Sequence, residues 1–364
     1  MHDSASLLLQ DWPGLLVRLA GGLDLDALAK ETRALVRRRG VPDAKALLRL
    51  ALARGPGGMS LRQTAAWAQL TGVADLTDAS LNDRLHQSCD FLAAIVASLL
   101  QTKAPCPRFR GRSLRVADGS CVSKPGSRGT DWRVHGVYDL GSGGFSNLEL
   151  TDKHGGEALD RGVGIEGEIR IADRGYSAAK ALRRFMMSVQ QAQGADYLVR
   201  LRWRSLRLRK PGGEKFELIA HLQKMPKDQN IDDIHVLIDG AGAPMQTRIV
   251  IARKPEAAAR AERERMTREA RKKGKQLDPR SLIAAEYVML ATSLAPDDYP
   301  ADEILALYRL RWQIELAFKR LKSLLRLDCL PAKTDRGGRS WIYAHLILAL
   351  ATDECSQDFL DSSP

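Results

Sequence analysis

The stretch EIRIADRGYS, residues 168–177, reads as a short apolar strand that stops at Asp173 and hands over to a turn. The period then changes. SAAKALRRFMMSVQQAQ (177–193) has apolar residues at helical spacing, with Ser177 placed to cap its start, and DYLVRLRWR (196–204) returns to strand. Upstream, SLRVADGS (113–120) mirrors the opening stretch: an alternating lead-in, then Asp118 before Gly119. WRVHGVYDL (132–140) and FSNLELTD (145–152) read as two strands joined by a tight turn at GSGG (141–144). A short helical piece is expected near 156–163. The order strand, strand, strand, helix, strand, helix, strand predicts a mixed α/β layered domain.

On either side the character shifts. Residues 1–104 read as helical, with apolar positions at helical spacing in LDALAKETRALVRRRG (25–40) and DAKALLRLALARG (43–55). MSLRQTAAWAQLTGVADLTDASLNDRLHQ (59–87) outlines two short helices around TGVADLTD, either an ordinary helical hairpin or a helix-turn-helix-like pattern near 60–88 in which Asn82, Arg84 and Gln87 are candidate DNA contacts. KAPCPRFRGRS (103–113) reads as a linker or entry loop. Residues 203–286 interrupt the α/β pattern with strand candidates SLRLRK, FELIAHL, IHVLIDG and TRIVIARK, then a charged solvated helix in EAAARAERERMTREARKKGKQ (256–276). EYVMLATSL (286–294) is a returning strand, and 331–364 hold a short helix and an acidic tail.

A chain of 364 residues with 44% hydrophobic and 27% charged residues has the composition of a soluble globular protein. The formal charge of +12 and a pI near 9.6 suit a polyanionic partner, nucleic acid first, with a basic housekeeping protein as the plain alternative. The five cysteines lack metal-ligand spacing and are expected to be reduced thiols. The first 22 residues lack a signal-peptide pattern, and no apolar run is long enough for a bilayer. A cytoplasmic protein without a membrane partner is expected.

Rigid strand ends next to open loops are where α/β sheets collect ligand groups. Asp118 and Asp173 are both placed so. Far downstream, YRLRWQIELAFKRLKS (308–323) sets Tyr308, Arg311, Glu315 and Lys322 within an arc of about 60° on an ideal helix, beside an apolar stripe of Leu307, Leu310, Ile314 and Leu321. Trp312, about 40° from Tyr308, is expected to pack rather than to stack on a base. Asp118, Asp173 and Glu315 together can hold hard divalent cations. Two such ions about 3.5–4 Å apart activate water and stabilise the leaving oxygen in phosphoryl displacement. A structural role is expected for His135 and His154. In VRLRWRSLRLRK (199–210), Arg200, Arg202 and Arg204 share one strand face and are expected to line a DNA path, with a bulge or turn near Ser205.

The spacing Y, two residues, R, three residues, E, six residues, K, met by Tyr308, Arg311, Glu315 and Lys322, resembles the signature of one branch of the DDE-superfamily transposases of bacterial insertion sequences. RVADGS and RIADRGY resemble that family's two aspartate segments, and the likeness spans residues 60–335. The resemblance implies a ribonuclease-H-like catalytic core (105–202 and 287–330), a β-rich insertion (203–286) and a helical N-terminal DNA-binding region (1–104). It implies Asp118, Asp173 and Glu315 as metal ligands, with two Mg²⁺ ions or Mn²⁺ in their place, and Tyr308, Arg311 and Lys322 on the DNA backbone. It further implies an enzyme of cut-and-paste transposition. Such an enzyme binds terminal inverted repeats in double-stranded DNA, nicks them, often passes through a hairpin intermediate, and joins the 3′-hydroxyl to target DNA, as a homodimer on DNA. The chain ends at Pro364, 42 residues after Lys322, where family members often have a longer C-terminal part. The alternatives are a catalytically silent DNA-binding regulator, a decayed copy, or a different metal nuclease on a similar core.

Overall fold

Strand character is concentrated between residues 113 and 292, and there the chain builds one sheet. The computed structural model describes residues 12–20, 22–101, 108–189, 194–240, 242–325, 330–332 and 334–361, the side chains of 101, 320–325 and 352–361 excepted. Among these residues the strands are β1 (Ser113–Val122), β2 (Trp132–Asp139), β3 (Gly144–Asp152), β4 (Glu168–Ala172), β5 (Asp196–Arg200), β6 (Arg207–Arg209), β7 (Ile231–Asp239), β8 (Met245–Arg253) and β9 (Tyr287–Thr292). Their spatial order is β3-β2-β1-β4-β5-β9-β8-β7-β6. β1 to β3 form an antiparallel meander, β4 and β5 run parallel to β1, and β9 returns antiparallel to β5. The strands of the 203–286 segment extend this same sheet beyond β9.

Alternation along the strands gives the sheet two apolar faces. Leu114, Val116, Ile169, Ile171 and Leu198 face one helical layer, and Ala117, Ala172, Val199 and Ile251 face the other. The first layer holds α1 (Trp12–Ala20), α2 (Leu25–Glu31), α3 (Ala44–Arg54), α4 (Leu61–Leu70), α5 (Asp78–Gln87) and α6 (Cys89–Gln101). It is completed from far along the sequence by α11 (Ala301–Arg309), α12 (Trp312–Leu325) and α13 (Asp335–Asp361). α13 lies against α3, α5 and α6 and buries Ile342, Leu346, Ile347 and Leu350 completely. Each such side chain contributes about 1.5–3 kcal/mol of burial. The second layer holds α7 (Ala179–Met187), α8 (Leu218–Lys224) and α10 (Pro279–Ala284). The charged α9 (Glu256–Lys272) buries Ala259 alone of its side chains and carries intrahelical pairs such as Arg265–Glu262 at 2.7 Å.

Local chemistry accounts for the helix starts. Ser60 and Gln63 form a reciprocal capping box on α4, Thr77 caps α5, and Asp43 accepts from Ala46 N at 2.7 Å on α3. Several expectations fail for identifiable reasons. The 25–40 helix stops at Glu31, where Thr32 Oγ1 bonds back to Leu28 O at 2.7 Å and the next residue, Arg33, takes a positive φ. Residues 156–163 form turns, because the carbonyls of Leu159, Arg161 and Gly162 are drawn to the buried guanidinium of Arg170. FELIAHL becomes α8, burying Leu218 and Leu222 four residues apart. Ser177 does not cap α7; its Oγ donates to Arg174 O at 3.1 Å. In the α4–α5 pair, Arg84 donates to the carbonyls of Arg37 and Arg39, and Asn82 lines a cavity between α5 and α13.

Candidate active site

β1 and β4 run parallel with Ala117 opposite Ala172, so Asp118 and Asp173 come next in register, side by side at about the 4.8 Å strand spacing. Asp118 does not end its strand. β1 continues to Val122 because β2 goes on pairing with it, Asp118 opposite Gly136; only the ladder to β4 stops there. Alternation puts Asp118 with Val116 and Asp173 with Ile171, both toward α12.

α12 is seated beside this pair through Ile314, Ala317 and Phe318. A Cβ on Gly136, the register partner of Asp118, would stand 2.9 Å from Phe318 Cζ, so the missing side chain lets the ring approach. The expected single helix over 308–323 is two. α11 ends at Arg309 and α12 begins at Trp312, and at the joint Arg311 N bonds to Tyr308 O and Gln313 N to Leu310 O, three residues back rather than four. Arg311 lies 5.9 Å from the Tyr308 ring centroid and donates to Glu315 Oε1 at 2.6 Å. Its charge also acts on Asp118, and the charges of Arg200 and Asp173 reach Tyr308. Asp118, Asp173, Tyr308, Arg311 and Arg200 therefore share one neighbourhood. Glu315 lies on α12 one turn after Arg311 and is turned to it, with 46% of its side chain exposed. Lys322 sits further along α12, and its side chain lies outside the described residues. Trp312 does not pack: it is 59% exposed.

Burial pushes the Asp118 carboxyl up to about 6; the Gly119 N–H and Arg311 oppose this, and the charges of Asp173 and Glu157 add to it. Each carboxylate is turned to a donor of its own: Asp118 Oδ1 to Gly119 N at 2.8 Å, Asp173 Oδ1 to Gly175 N at 2.6 Å, Glu315 to Arg311. Among the described residues no three His, Cys, Asp or Glu side chains are gathered closely enough to hold a metal ion. The expected three-carboxylate convergence is therefore not seen in this arrangement. The donor set at the aspartate pair still fits a hard cation. It offers carboxylate oxygens from adjacent strands, next to the hydroxyl of Tyr176, which is buried without a hydrogen-bond partner.

The arginine run divides. β5 ends at Arg200 and the chain turns at Trp203–Ser205, so Arg200, Arg202 and Arg204 do not share a strand face. Arg204 is ion-paired with Asp278 and lies 4.4 Å from the Trp203 ring centroid. Arg200, Arg202 and Arg204 nonetheless border one cavity of about 240 Å³ with Arg174, Lys254 and Glu262. Burial lowers the pKa of both Arg174 and Lys254, and the nearby Arg200 lowers them further. Arg174 and Lys254 were missed in the sequence, although Arg174 directly follows Asp173. His135 is a packing residue: Nε2 meets Thr151 Oγ1 at 2.9 Å, and burial, then Arg161 and Arg133, push its pKa down to about 4. His154 is exposed, in the turn after β3.

Residues 109–351 match the family described as "Transposase DDE domain". The chain is 40% identical to the putative transposase InsL of insertion element IS186A from Escherichia coli K12 over 360 residues, covering 97% of this chain and 96% of that protein. It is also 40% identical to the transposase of IS421 from Escherichia coli, with the same coverage. The transposase of IS231F from Bacillus thuringiensis subsp. israelensis is 24% identical over 73% of this chain and 63% of its own length. Among the described residues no helix is long and apolar enough to cross a membrane.

Proposed function

The chain belongs to the family of transposases with a DDE domain, and from that premise we propose that Asp118, Asp173 and Glu315 are its acidic triad. The observation that carries this reading is the register of β1 and β4, which sets the two aspartates side by side under the helix that carries Glu315. The element served is an insertion sequence whose terminal inverted repeats the protein binds, cleaves and joins to target double-stranded DNA. The strand order β3-β2-β1-β4-β5 supports a ribonuclease-H-like core over 105–202 and 287–330. In this reading 203–286 is the insertion, 1–104 the helical DNA-binding region and 331–364 the C-terminal part. The spacing of Tyr308, Arg311, Glu315 and Lys322 supports the Y-R-E-K branch. The working form is a homodimer on DNA, in the cytoplasm.

Asp118 and Asp173 would hold the divalent cations, Mg²⁺ or Mn²⁺, and Glu315 would join them once its carboxylate is free of Arg311. When bound, two such ions supply Lewis-acid polarisation of the scissile phosphate. Arg311 is suited to this exchange: a guanidinium that pairs with Glu315 in one state can pair with a phosphate oxygen in the other. Tyr308 packs beside it and fixes its direction. Arg174, Arg200, Arg202 and Lys254 offer the backbone of the DNA a desolvated positive groove next to Asp173.

The test is cleavage of a DNA end bearing the element's own terminal repeat by Asp118→Asn, Asp173→Asn and Glu315→Gln variants. Cleavage is expected to be lost in each, with end binding retained. Normal cleavage by any one removes that residue from the triad.

A further inference from the structure

Glu157 belongs to the loop between β3 and β4, which has no periodic pattern, and nothing above gives it a role. We propose that Glu157 is a fourth carboxylate of the acidic site and ligates the divalent cation alongside Asp118 and Asp173. This rests on the aspartate pair being the metal site.

Its position carries the proposal. A Cβ added at Gly175, in the turn after Asp173, would stand 2.0 Å from Glu157 Oε2 and 3.1 Å from Asp173 Oδ1. Two carboxylates thus crowd one point, and the glycine leaves the space that the Glu157 oxygen occupies. At the other side, a Cβ at Gly119 would stand 3.6 Å from Glu157 Cγ. Glu157 therefore reaches from beneath Gly119, next to Asp118, to the turn that follows Asp173. Gly119 alternates with Asp118 and shares the face of Ala117, so Glu157 comes to the pair from the sheet face opposite Glu315.

The surroundings do not explain Glu157 as a structural residue. Among the described residues it has no hydrogen bond or ion pair, although its side chain is half-buried. Asp118 and Asp173 stand near it, with the cationic Arg133 against the same side of Gly119, and like charges so placed are unfavourable unless a further cation is shared. Tyr176 supplies the independent sign of a ligand: its side chain is 1% exposed, its hydroxyl has no hydrogen-bond partner, and the carboxylates of Asp118, Glu157 and Asp173 are the acidic groups around it. A hydroxyl buried there can bond to a water or an oxygen in a cation's shell. The loop is also held in place for such a task. Arg170 grips the carbonyls of Leu159, Arg161 and Gly162 at 2.9–3.0 Å, just beyond Glu157.

The experiment is a Mn²⁺ titration of the full chain, followed by electron paramagnetic resonance, with Mg²⁺-dependent cleavage of a terminal-repeat DNA end in parallel. Glu157→Gln is expected to weaken Mn²⁺ binding about tenfold or more and to raise the half-saturating Mg²⁺ by a similar factor, while DNA-end binding stays within about twofold. Gly175→Ala keeps every charge but must displace the Glu157 carboxylate, 2.0 Å from the added Cβ, far more than Asp173 Oδ1 at 3.1 Å, and is expected to act in the same direction; it is the second variant should Glu157→Gln fold poorly. The proposal is overturned if both variants titrate Mn²⁺ within about twofold of wild type while Asp118→Asn loses Mn²⁺ binding. If Asp118→Asn also keeps Mn²⁺ binding, the metal reading of the aspartate pair itself fails, and the role of Glu157 with it.

Discussion

Replacing Arg170 with methionine tests how the loop bearing Glu157 is fastened. Arg170 is 1% exposed and Glu168 is fully buried; they pair at 2.6 Å, and the guanidinium also lies 4.4 Å from the Phe185 ring centroid. The variant strands the Glu168 carboxylate in the interior and leaves the carbonyls of Leu159, Arg161, Gly162 and Val163 without their donor. Arg115 stays near Glu168, but at 3.6 Å, and the Ile165 N–H still donates to it. Removing one partner of a buried pair costs about 3–5 kcal/mol. With roughly 2.1 cal/mol/K of unfolding entropy per residue, a chain of this length loses about 4–7 °C of Tm. Differential scanning calorimetry reads the shift. Adding Glu168→Gln removes the stranded charge, and the double variant is expected to regain roughly half of the loss. A Tm within about 1 °C of wild type for Arg170→Met, or a double variant no more stable than the single one, would refute the account.

Three further outcomes are expected. Arg311→Ala and Lys322→Ala should weaken end binding as well as cleavage, whereas Glu315→Gln should stop cleavage at any DNA concentration; gel shift and cleavage by both basic variants at wild-type level would exclude a phosphate clamp. In the Arg200/Arg202/Arg204 triple alanine variant, the slope of log affinity against log salt should fall by about two units rather than three, because Arg204 is already engaged by Asp278; an unchanged slope excludes contact. The depressed His135 pKa means that the unfolded chain binds the proton first. Its stabilising contribution is complete above the ordinary value of 6.5 and is lost as pH falls through about 4, so urea midpoints over that window should decline less in His135→Gln than in wild type.

Much of this fold was legible because the signals are local. The β2–β3 hairpin around its glycine turn, the strands β7 to β9, the charged α9 and the starts of α4 and α5 all follow from residues adjacent in sequence. Register was not legible. RVAD and RIAD each read as a strand ending in aspartate, but that the two strands are neighbours, with Ala117 opposite Ala172, is fixed by tertiary packing. Alternation also misleads in an inner strand. All five residues of β4 are buried, so Arg170 points into the protein rather than to water, and its partners are carbonyls of a loop with no pattern to read. Glu157 escaped notice for the same reason. The joint between α11 and α12 was hidden because Tyr308 to Lys322 satisfy a helical wheel whether or not one turn tightens.

The placement of α13 bears on how the protein is made. Synthesis delivers α3, α5 and α6 early, and every described strand as well, before the helix that lies against those three helices. Until that helix leaves the ribosome, the leucines and alanines it covers must wait in contact with solvent or a chaperone, so the helical layer closes late and nearly all at once. A premature stop ahead of Asp335 would release a chain with its aspartate pair encoded and an apolar cleft uncovered. Such a product is a substrate for proteases before it is ever a nuclease.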